Sequence, residues 1–365
     1  MNDISLAASA TLRPLELPAR ADAGPTPALR AYAELRNVTL LETNGNDDDA
    51  LSAAELLPAL YSNDDRERLQ WLIELDTPPI GCVALDILRD DGGQTAMFSG
   101  ALVRDVWGRG IGTAAYQHLE AVARASGVRK LLHWTEHHDE TGELPTLAAP
   151  TGFGSIPADR AARFLSHNGF SLEQVERASA LVWSDATLGH LEALRAHAEG
   201  RASDYRIVQW FSPTPPERVA GFAWMKSRMS TDVPEGDLDM PEEIWDDARV
   251  RRQDERMAAK GWSMLVTAAE HIGTGELSAF NELSIGPDHS RATHQYDTLV
   301  LDEHRGNRLG MLVKTAGLLA WRAQHPLSPH VRTYNAEENR PMLSINEAIG
   351  FEPTAYEGAW KKELT

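Results

Sequence analysis

The order of segments in this 365-residue chain occurs twice, and that repetition constrains its fold more than any other feature. A glycine-rich turn, Trp107-Gly108-Arg109-Gly110-Ile111-Gly112, follows a strand-like run and opens a segment in which Ala115, Leu119, Val122 and Ala123 recur at helical spacing. A matching turn, Arg305-Gly306-Asn307-Arg308-Leu309-Gly310, opens a helix with Leu309, Leu312, Val313, Ala316 and Ala320 on one face. Each copy later ends a helix in Gly-Phe, at Gly169-Phe170 and Gly350-Phe351. The interval between turn and Gly-Phe is longer in the first copy, and the extra residues fall within 137–157. Duplication with one insertion predicts two domains, which also suits the length.

The pattern predicts, for the first copy, a strand over 12–17, helices over 28–41 and 52–73, and a hairpin of strands 80–88 and 95–103 turning at Asp90-Asp91-Gly92-Gly93. After the glycine turn and its helix come a strand over 130–135, a helix over 159–167 and a terminal hairpin reaching Trp183. Residues 185–201 read as a helical connector. The second copy repeats the order with a strand over 205–211, helices over 216–229 and 241–260, and strands over 263–269, 276–285 and 293–301. The expected fold is α+β, two tandem domains each with a mixed twisted sheet flanked by helices. Their expected limits are 10–184 and 204–365, joined by a helical linker over 185–203.

Fifty-four acidic against 35 basic residues give a net charge of -19, spread along the chain, which argues against nucleic acid or an anionic membrane as partner. One cysteine, Cys82, allows no internal disulfide, and no stretch is long and apolar enough to span a bilayer, so a cytoplasmic protein is expected. Cys82 alternates with Ile80 and Ala84 as a core residue would. The loop Asn44-Gly45-Asn46-Asp47-Asp48-Asp49 lacks the spaced ligands of an EF-hand. His133, His137, His138 and Asp139 match no metal-site spacing, so no metal is expected.

These turns resemble the signature of the GNAT superfamily of N-acetyltransferases, Gln/Arg-x-x-Gly-x-Gly/Ala at a strand-to-helix junction. The first copy keeps Gly110 and Gly112 but has Trp107 at the Gln/Arg position; the second keeps Arg305 and Gly310 but has Arg308 at the first glycine position. Asn335-Ala336-Glu337-Glu338-Asn339 and Ile345-Asn346-Glu347-Ala348-Ile349-Gly350-Phe351 resemble the family's Asn-containing helix and terminal Gly-Phe. The tandem arrangement is similar to that of two-domain bacterial members, mycothiol synthase among them. A dinucleotide fold is the rival, because Gly110-Ile111-Gly112-Thr113-Ala114-Ala115 fits its fingerprint. Such a unit should open a βαβ alternation, whereas here two helices and a hairpin precede the turn.

The resemblance implies acetyl-CoA as cosubstrate and a small amine as acceptor. A glycine turn entering a helix aims backbone N–H groups and the helix dipole at a diphosphate. By resemblance, the carrier would be held by the backbone of Leu299, Val300 and Leu301, by the turn Arg305, Gly306, Asn307, Arg308, Leu309 and Gly310, and by Asn335, Asn339 and Asn346 along the pantetheine arm. The matching residues of the first copy are Val103, Arg109, Gly110, Ile111, Gly112 and Thr113. Helix capping and polar packing are the competing roles for Asn335 and Asn339.

Acyl transfer to an amine needs a base, an oxyanion site and a route for the thiolate's proton. The candidate bases are His294, Asp297 and Glu282, with Tyr296 as candidate acid; each also reads as an ordinary polar strand residue. Asp297 should face away from His294 and Tyr296 unless a bulge intervenes. Many family members carry Tyr where Asn346 stands here. The first copy's strand 96–103 has no ionisable side chain, and Ala158 and Leu165 stand at the positions of Asn339 and Asn346. Catalysis is therefore assigned to the second copy, with carrier binding open to both, in a monomer or homodimer. The alternative is an acyl-CoA-binding regulator or scaffold without turnover.

Overall fold

The computed structural model describes residues 3–6, 9–75, 78–139 and 141–364. The chain divides into two compact units. The first holds the residues through Val175, Gly236–Pro241 and those from Tyr356 on; the second holds Glu176–Glu235 and Glu242–Ala355.

In unit 1 the elements are β1 (Ile4–Ser5), β2 (Thr11–Pro14), α1 (Pro27–Asn44), α2 (Ala53–Leu60), β3 (Arg66–Glu74), β4 (Gly81–Leu88), β5 (Thr95–Leu102), α3 (Ile111–Ala125), β6 (Lys130–His137), the short pair β7 (Thr146–Ala148) and β8 (Ser155–Pro157), and α4 (Arg160–His167). Strand β9 (Ser171–Val182) starts in unit 1 and ends in unit 2. Unit 2 continues with α5 (Asp185–Glu199), β10 (Tyr205–Phe211), α6 (Pro216–Asp232), α7 (Asp247–Lys260), β11 (Ser263–His271), β12 (Leu277–Ile285), β13 (Thr293–Val300), α8 (Leu309–Gln324), β14 (His330–Ala336) and α9 (Arg340–Ile349). The last strand, β15 (Glu352–Glu363), returns to unit 1.

The unit 1 sheet runs β1-β2-β3-β4-β5-β6-β15, antiparallel except where β5 and β6 pair in parallel. The unit 2 sheet runs β9-β14-β13-β12-β11-β10, with β13 and β14 as its parallel pair. Helices cover both: α3 and α4 contribute Ile111, Ala115, Leu119, Ala162 and Leu165 to the unit 1 core, and α5 and α8 contribute Leu191, Ala198, Leu312 and Val313 to that of unit 2. Leu29, Tyr32, Leu56 and Leu57 of α1 and α2 pack over Leu72 and Cys82, and burial pushes the Cys82 thiol up to about 12, so it is an inert core group.

Three expectations of secondary structure differ from what is observed. The helix expected over 52–73 stops at Leu60, because the Asn63 side chain accepts from the Asp65 and Arg66 backbone N–H groups and turns the chain into β3. Between β2 and β4, that stretch buries Gln70, Trp71, Leu72 and Ile73 on both faces, which masks the alternation of a strand. The helix expected over 241–260 starts only at Asp247, capped by Asp246. The terminal hairpin of the first copy is the single strand β9, whose partner beyond Glu176 is β14.

The compact units also differ from the limits 10–184 and 204–365. Residues 185–199, expected to link, form α5 and bury Leu191 and Ala198 in the unit 2 core. The C-terminal segment belongs to unit 1, where β15 pairs with β6 from Tyr356↔His137 to Glu363↔Lys130 and Trp360 is fully buried. Among the described residues no helix is long and apolar enough to cross a membrane.

Candidate functional site

Each unit contains one place where two parallel strands begin together and then part. In unit 1, β5 and β6 pair only through Thr95↔Lys130, Ala96↔Leu131 and Met97↔Leu132. In unit 2, β13 and β14 pair only through Thr293↔Val331 and His294↔Arg332. Beyond those pairs the inner edges of β5 and β13 have no strand partner among the described residues, and a wedge opens whose mouth lies at the glycine turn.

Backbone hydrogen bonds decide which groups line each wedge. The Leu301 N–H donates to Ser278 (3.1 Å) and its carbonyl accepts from His304 (2.9 Å). Val103 is committed in the same way, to Ile80 (3.0 Å) and from Val106 (3.3 Å). Since backbone groups alternate in direction along a strand, Val300 and Leu102 face the wedges, while Leu299, Leu301 and Val103 face the neighbouring strand. The backbone groups of Leu299, Leu301 and Val103 are thus turned away from the wedges where the expectation had them facing a carrier, and Leu102, which sequence reasoning did not name, faces the first wedge. The two wedge carbonyls are met in parallel ways: Trp107 Nε1 donates to Leu102 (2.6 Å) and Arg305 Nε to Val300 (3.3 Å).

At the turns, Gly108, Gly110 and Gly306 have φ of 75°, 78° and 88°, and Arg308 takes a left-handed 57° without being glycine. Neither α3 nor α8 has a side-chain cap on its first N–H groups, which leaves the helix starts able to meet an anion. Arg109, Arg305 and Arg308 are exposed beside them, Asn307 Nδ2 donates to the Tyr205 hydroxyl (3.3 Å), and Thr113 is half-buried. Ile111 and Leu309 are core residues. The second glycines differ. A Cβ on Gly112 would sit 3.8 Å from Phe164, whereas one on Gly310 would meet Ile345 at 2.9 Å, so α8 enters closer to its neighbours than α3 does.

The four candidate catalytic side chains fall on one face of the unit 2 sheet. The register of β12 with β13 shifts between Asn281 and Leu283, so three steps along β13 (Thr298 to Gln295) meet two along β12. That bulge lets Tyr296 and Asp297 point the same way as His294 and Glu282, while Gln295 and Thr298 point to the α8 side. The His294 ring stacks between Trp262 (5.7 Å) and the exposed Tyr296 (6.2 Å). Glu282 and Asp297 converge on Lys226 of α6, which sequence reasoning did not single out. Lys226 Nζ lies 3.1 Å from Glu282 and in closer contact with Asp297, beneath the Trp245 ring at 4.9 Å. Burial works against the charge of Lys226, but Asp297 and then Glu282 hold its pKa above the ordinary value. Burial raises the Glu282 pKa, opposed by Lys226.

The asparagines also find definite partners. Asn339 caps α9, its Oδ1 accepting from Met342 N at 3.3 Å, so capping is its observed role. Asn346 is 1% exposed; it accepts from Lys314 Nζ (2.8 Å) and donates to Asn335 Oδ1 (2.7 Å). In the first copy Asp159, not Ala158, caps α4 and also holds His137 Nδ1 at 3.0 Å. Leu165 is buried as Asn346 is. The first wedge does contain an ionisable group, on β6 rather than β5: His133 Nδ1 lies 2.9 Å from the Phe98 carbonyl, and burial pushes its pKa down to about 4. A carbonyl only accepts, so Nδ1 carries the proton and Nε2 keeps a lone pair. Among the described residues no cluster of three or more His, Cys, Asp or Glu could hold a metal ion.

Comparison with known proteins gives this geometry a context. Residues 33–153 match the family model described as Acetyltransferase (GNAT) family. No curated protein matches the chain in sequence. A tandem GNAT protein from the clavulanic acid biosynthesis pathway, solved without acetyl-CoA, superposes with a TM-score of 0.71 at 22% identity, covering 97% of this chain and 98% of its own. A GCN5-related N-acetyltransferase from Sphaerobacter thermophilus superposes with a TM-score of 0.60 at 15% identity, covering 98% and 97%. The α+β expectation of two tandem domains holds: the chain has the fold of a tandem GNAT protein, and its residues 33–153 match the acetyltransferase (GNAT) family model.

Proposed function

We propose that the chain is an acetyl-CoA-dependent N-acetyltransferase that passes the acetyl group directly to a primary amine in a ternary complex, with catalysis in unit 2. The observation that carries this reading is the wedge between β13 and β14, which opens from the uncapped start of α8 toward the face bearing His294, Tyr296, Asp297 and Glu282. The backbone amides of Arg305 to Gly310 would receive the diphosphate. The Val300 backbone would pair with the pantetheine arm, as far as Arg305 yields its carbonyl.

An acceptor arrives as an ammonium and must lose a proton before it attacks the thioester carbon. His294 is the base that fits best, because its imidazole lies on the same sheet face, stacked between Trp262 and Tyr296. Tyr296 beside it would protonate the departing thiolate. With Asp297 and Glu282 set against the one ammonium, the cluster adds no net positive charge to the acceptor face, which suits a cationic substrate. Glu282, sealed against Lys226, is the weakest of the three candidate bases.

The family match at 33–153 supports a second reading, in which unit 1 also binds acetyl-CoA and His133 Nε2 takes the base's part. Thiol release from acetyl-CoA, measured with a panel of primary amines, tests both. His294→Ala should lower kcat/KM by about a hundredfold if unit 2 works. Loss with His133→Ala and not His294→Ala would move catalysis to unit 1, and binding without amine-dependent release would leave a regulator or scaffold.

A further inference from the structure

Lys314 presents a buried amine with no acidic partner among the described residues. It lies in α8, is 1% exposed, has the Phe351 ring 6.0 Å away and makes one hydrogen bond, to the Asn346 amide. Burial draws its pKa down to about 7, so the fold holds a costly group where a methionine would fill the space. What the amine adds is direction. In its ammonium form a lysine only donates, so in that form Asn346 turns Oδ1 toward it and Nδ2 away, the orientation the structure shows. Asn346 Nδ2 then donates to Asn335 Oδ1, and Asn335 is left with its own amide N–H groups as donors. Asn335 lies on β14 beyond Arg332, the last residue paired with β13, and thus on the strand that bounds the wedge.

We propose that Lys314 is a positioning residue: through the fixed amides of Asn346 and Asn335 it makes the β14 side of the wedge a hydrogen-bond donor for a carbonyl of the pantetheine arm. The proposal rests on the reading that the unit 2 wedge binds acetyl-CoA. Two amides with two possible orientations each would otherwise offer a mixture of donor and acceptor faces. The protonated amine, a donor-only group at the end of the chain, removes that ambiguity without touching the ligand.

The test is hydrogen-exchange mass spectrometry of the full chain titrated with acetyl-CoA, reading peptides over 305–318 and 335–349 separately from 104–118. Lys314→Met should weaken the apparent Kd in the unit 2 peptides about tenfold, leave the 104–118 response unchanged and not lower the melting temperature. Asn346→Asp separates relay from scaffold. The new carboxylate gives Lys314 an ionic partner but cannot donate to Asn335, so a scaffold role predicts wild-type binding and the relay predicts the same tenfold loss. Wild-type Kd in both variants, beside a protected wild type, overturns the relay alone. No protection of the unit 2 peptides in the wild-type protein overturns the unit 2 reading and the relay with it.

Discussion

The Trp107 indole N–H donates to the Leu102 carbonyl at 2.6 Å, the bond that Arg305 makes to Val300 at 3.3 Å in the other copy. An indole and a guanidinium thus perform one task, pinning the glycine turn to the end of the strand before it. Trp107→Phe keeps a flat ring but loses the donor, so about 1 kcal/mol of local stability should go. Amides over 104–110 should exchange faster by about fivefold, and Trp107→Arg should restore the wild-type rate.

The two second glycines should respond differently to a methyl group. Gly310→Ala would drive a Cβ to 2.9 Å from Ile345 and 3.5 Å from Val300, an overpacking that costs about 1–3 kcal/mol. Gly112→Ala meets Phe164 and Leu102 only at 3.8 and 3.9 Å and gains helix propensity, so its melting temperature should be unchanged or higher. Thermal denaturation of both variants checks this; equal destabilisation would contradict the difference in packing.

Lys226→Met should lower stability in a pH-dependent way. It strands the buried Glu282 beside Asp297, a loss of about 3–5 kcal/mol at neutral pH. Burial without the lysine raises the Glu282 pKa in the folded state further. A raised carboxyl pKa favours the fold at low pH and loses that contribution as pH rises through the folded value. The gap to wild type should therefore narrow from pH 8 to pH 5, as measured by denaturant titration, and Glu282→Gln in the same chain should recover part of the loss.

The C-terminal strand should be required for unit 1. Trp360 is fully buried there, and its indole N–H donates to His137 Nε2 at 3.2 Å, whose Nδ1 then donates to Asp159. Trp360→Ala should cost about 3–5 kcal/mol, and its effect should appear in peptides of β5 and β6 by hydrogen exchange.

Lys362 of the same strand sits 2.5 Å from Glu120. Burial opposes ionisation of Glu120, but hydrogen bonds from Lys362, Tyr116 and Arg124 bring its pKa down to about 2. This depressed pKa contributes stability above the ordinary carboxylate range and loses it as pH falls through about 2. Glu120→Gln should accordingly be less stable than wild type at pH 7 and converge with it in acid, which a melting series over pH 2–7 would show.

The amino-acid sequence by itself determined the duplication, the two glycine turns and most of the strands and helices, because those features are local: spacing of apolar residues, capping residues and glycines that accept positive φ. It also named His294, Tyr296, Asp297 and Glu282, chosen by residue type and position on two strands. Tertiary structure decided what those residues share. A bulge in β13, invisible as a pattern, put Asp297 on the same face as Tyr296, and α6 brought in Lys226 from 71 positions away. Burial on both faces hid β3 inside an expected helix, and the return of β15 to unit 1 moved a boundary no linker signal marked. The physical reason is that side-chain periodicity reports which face of its own element a residue occupies, whereas register shifts and long-range pairings depend on the partner strand or helix that meets that face.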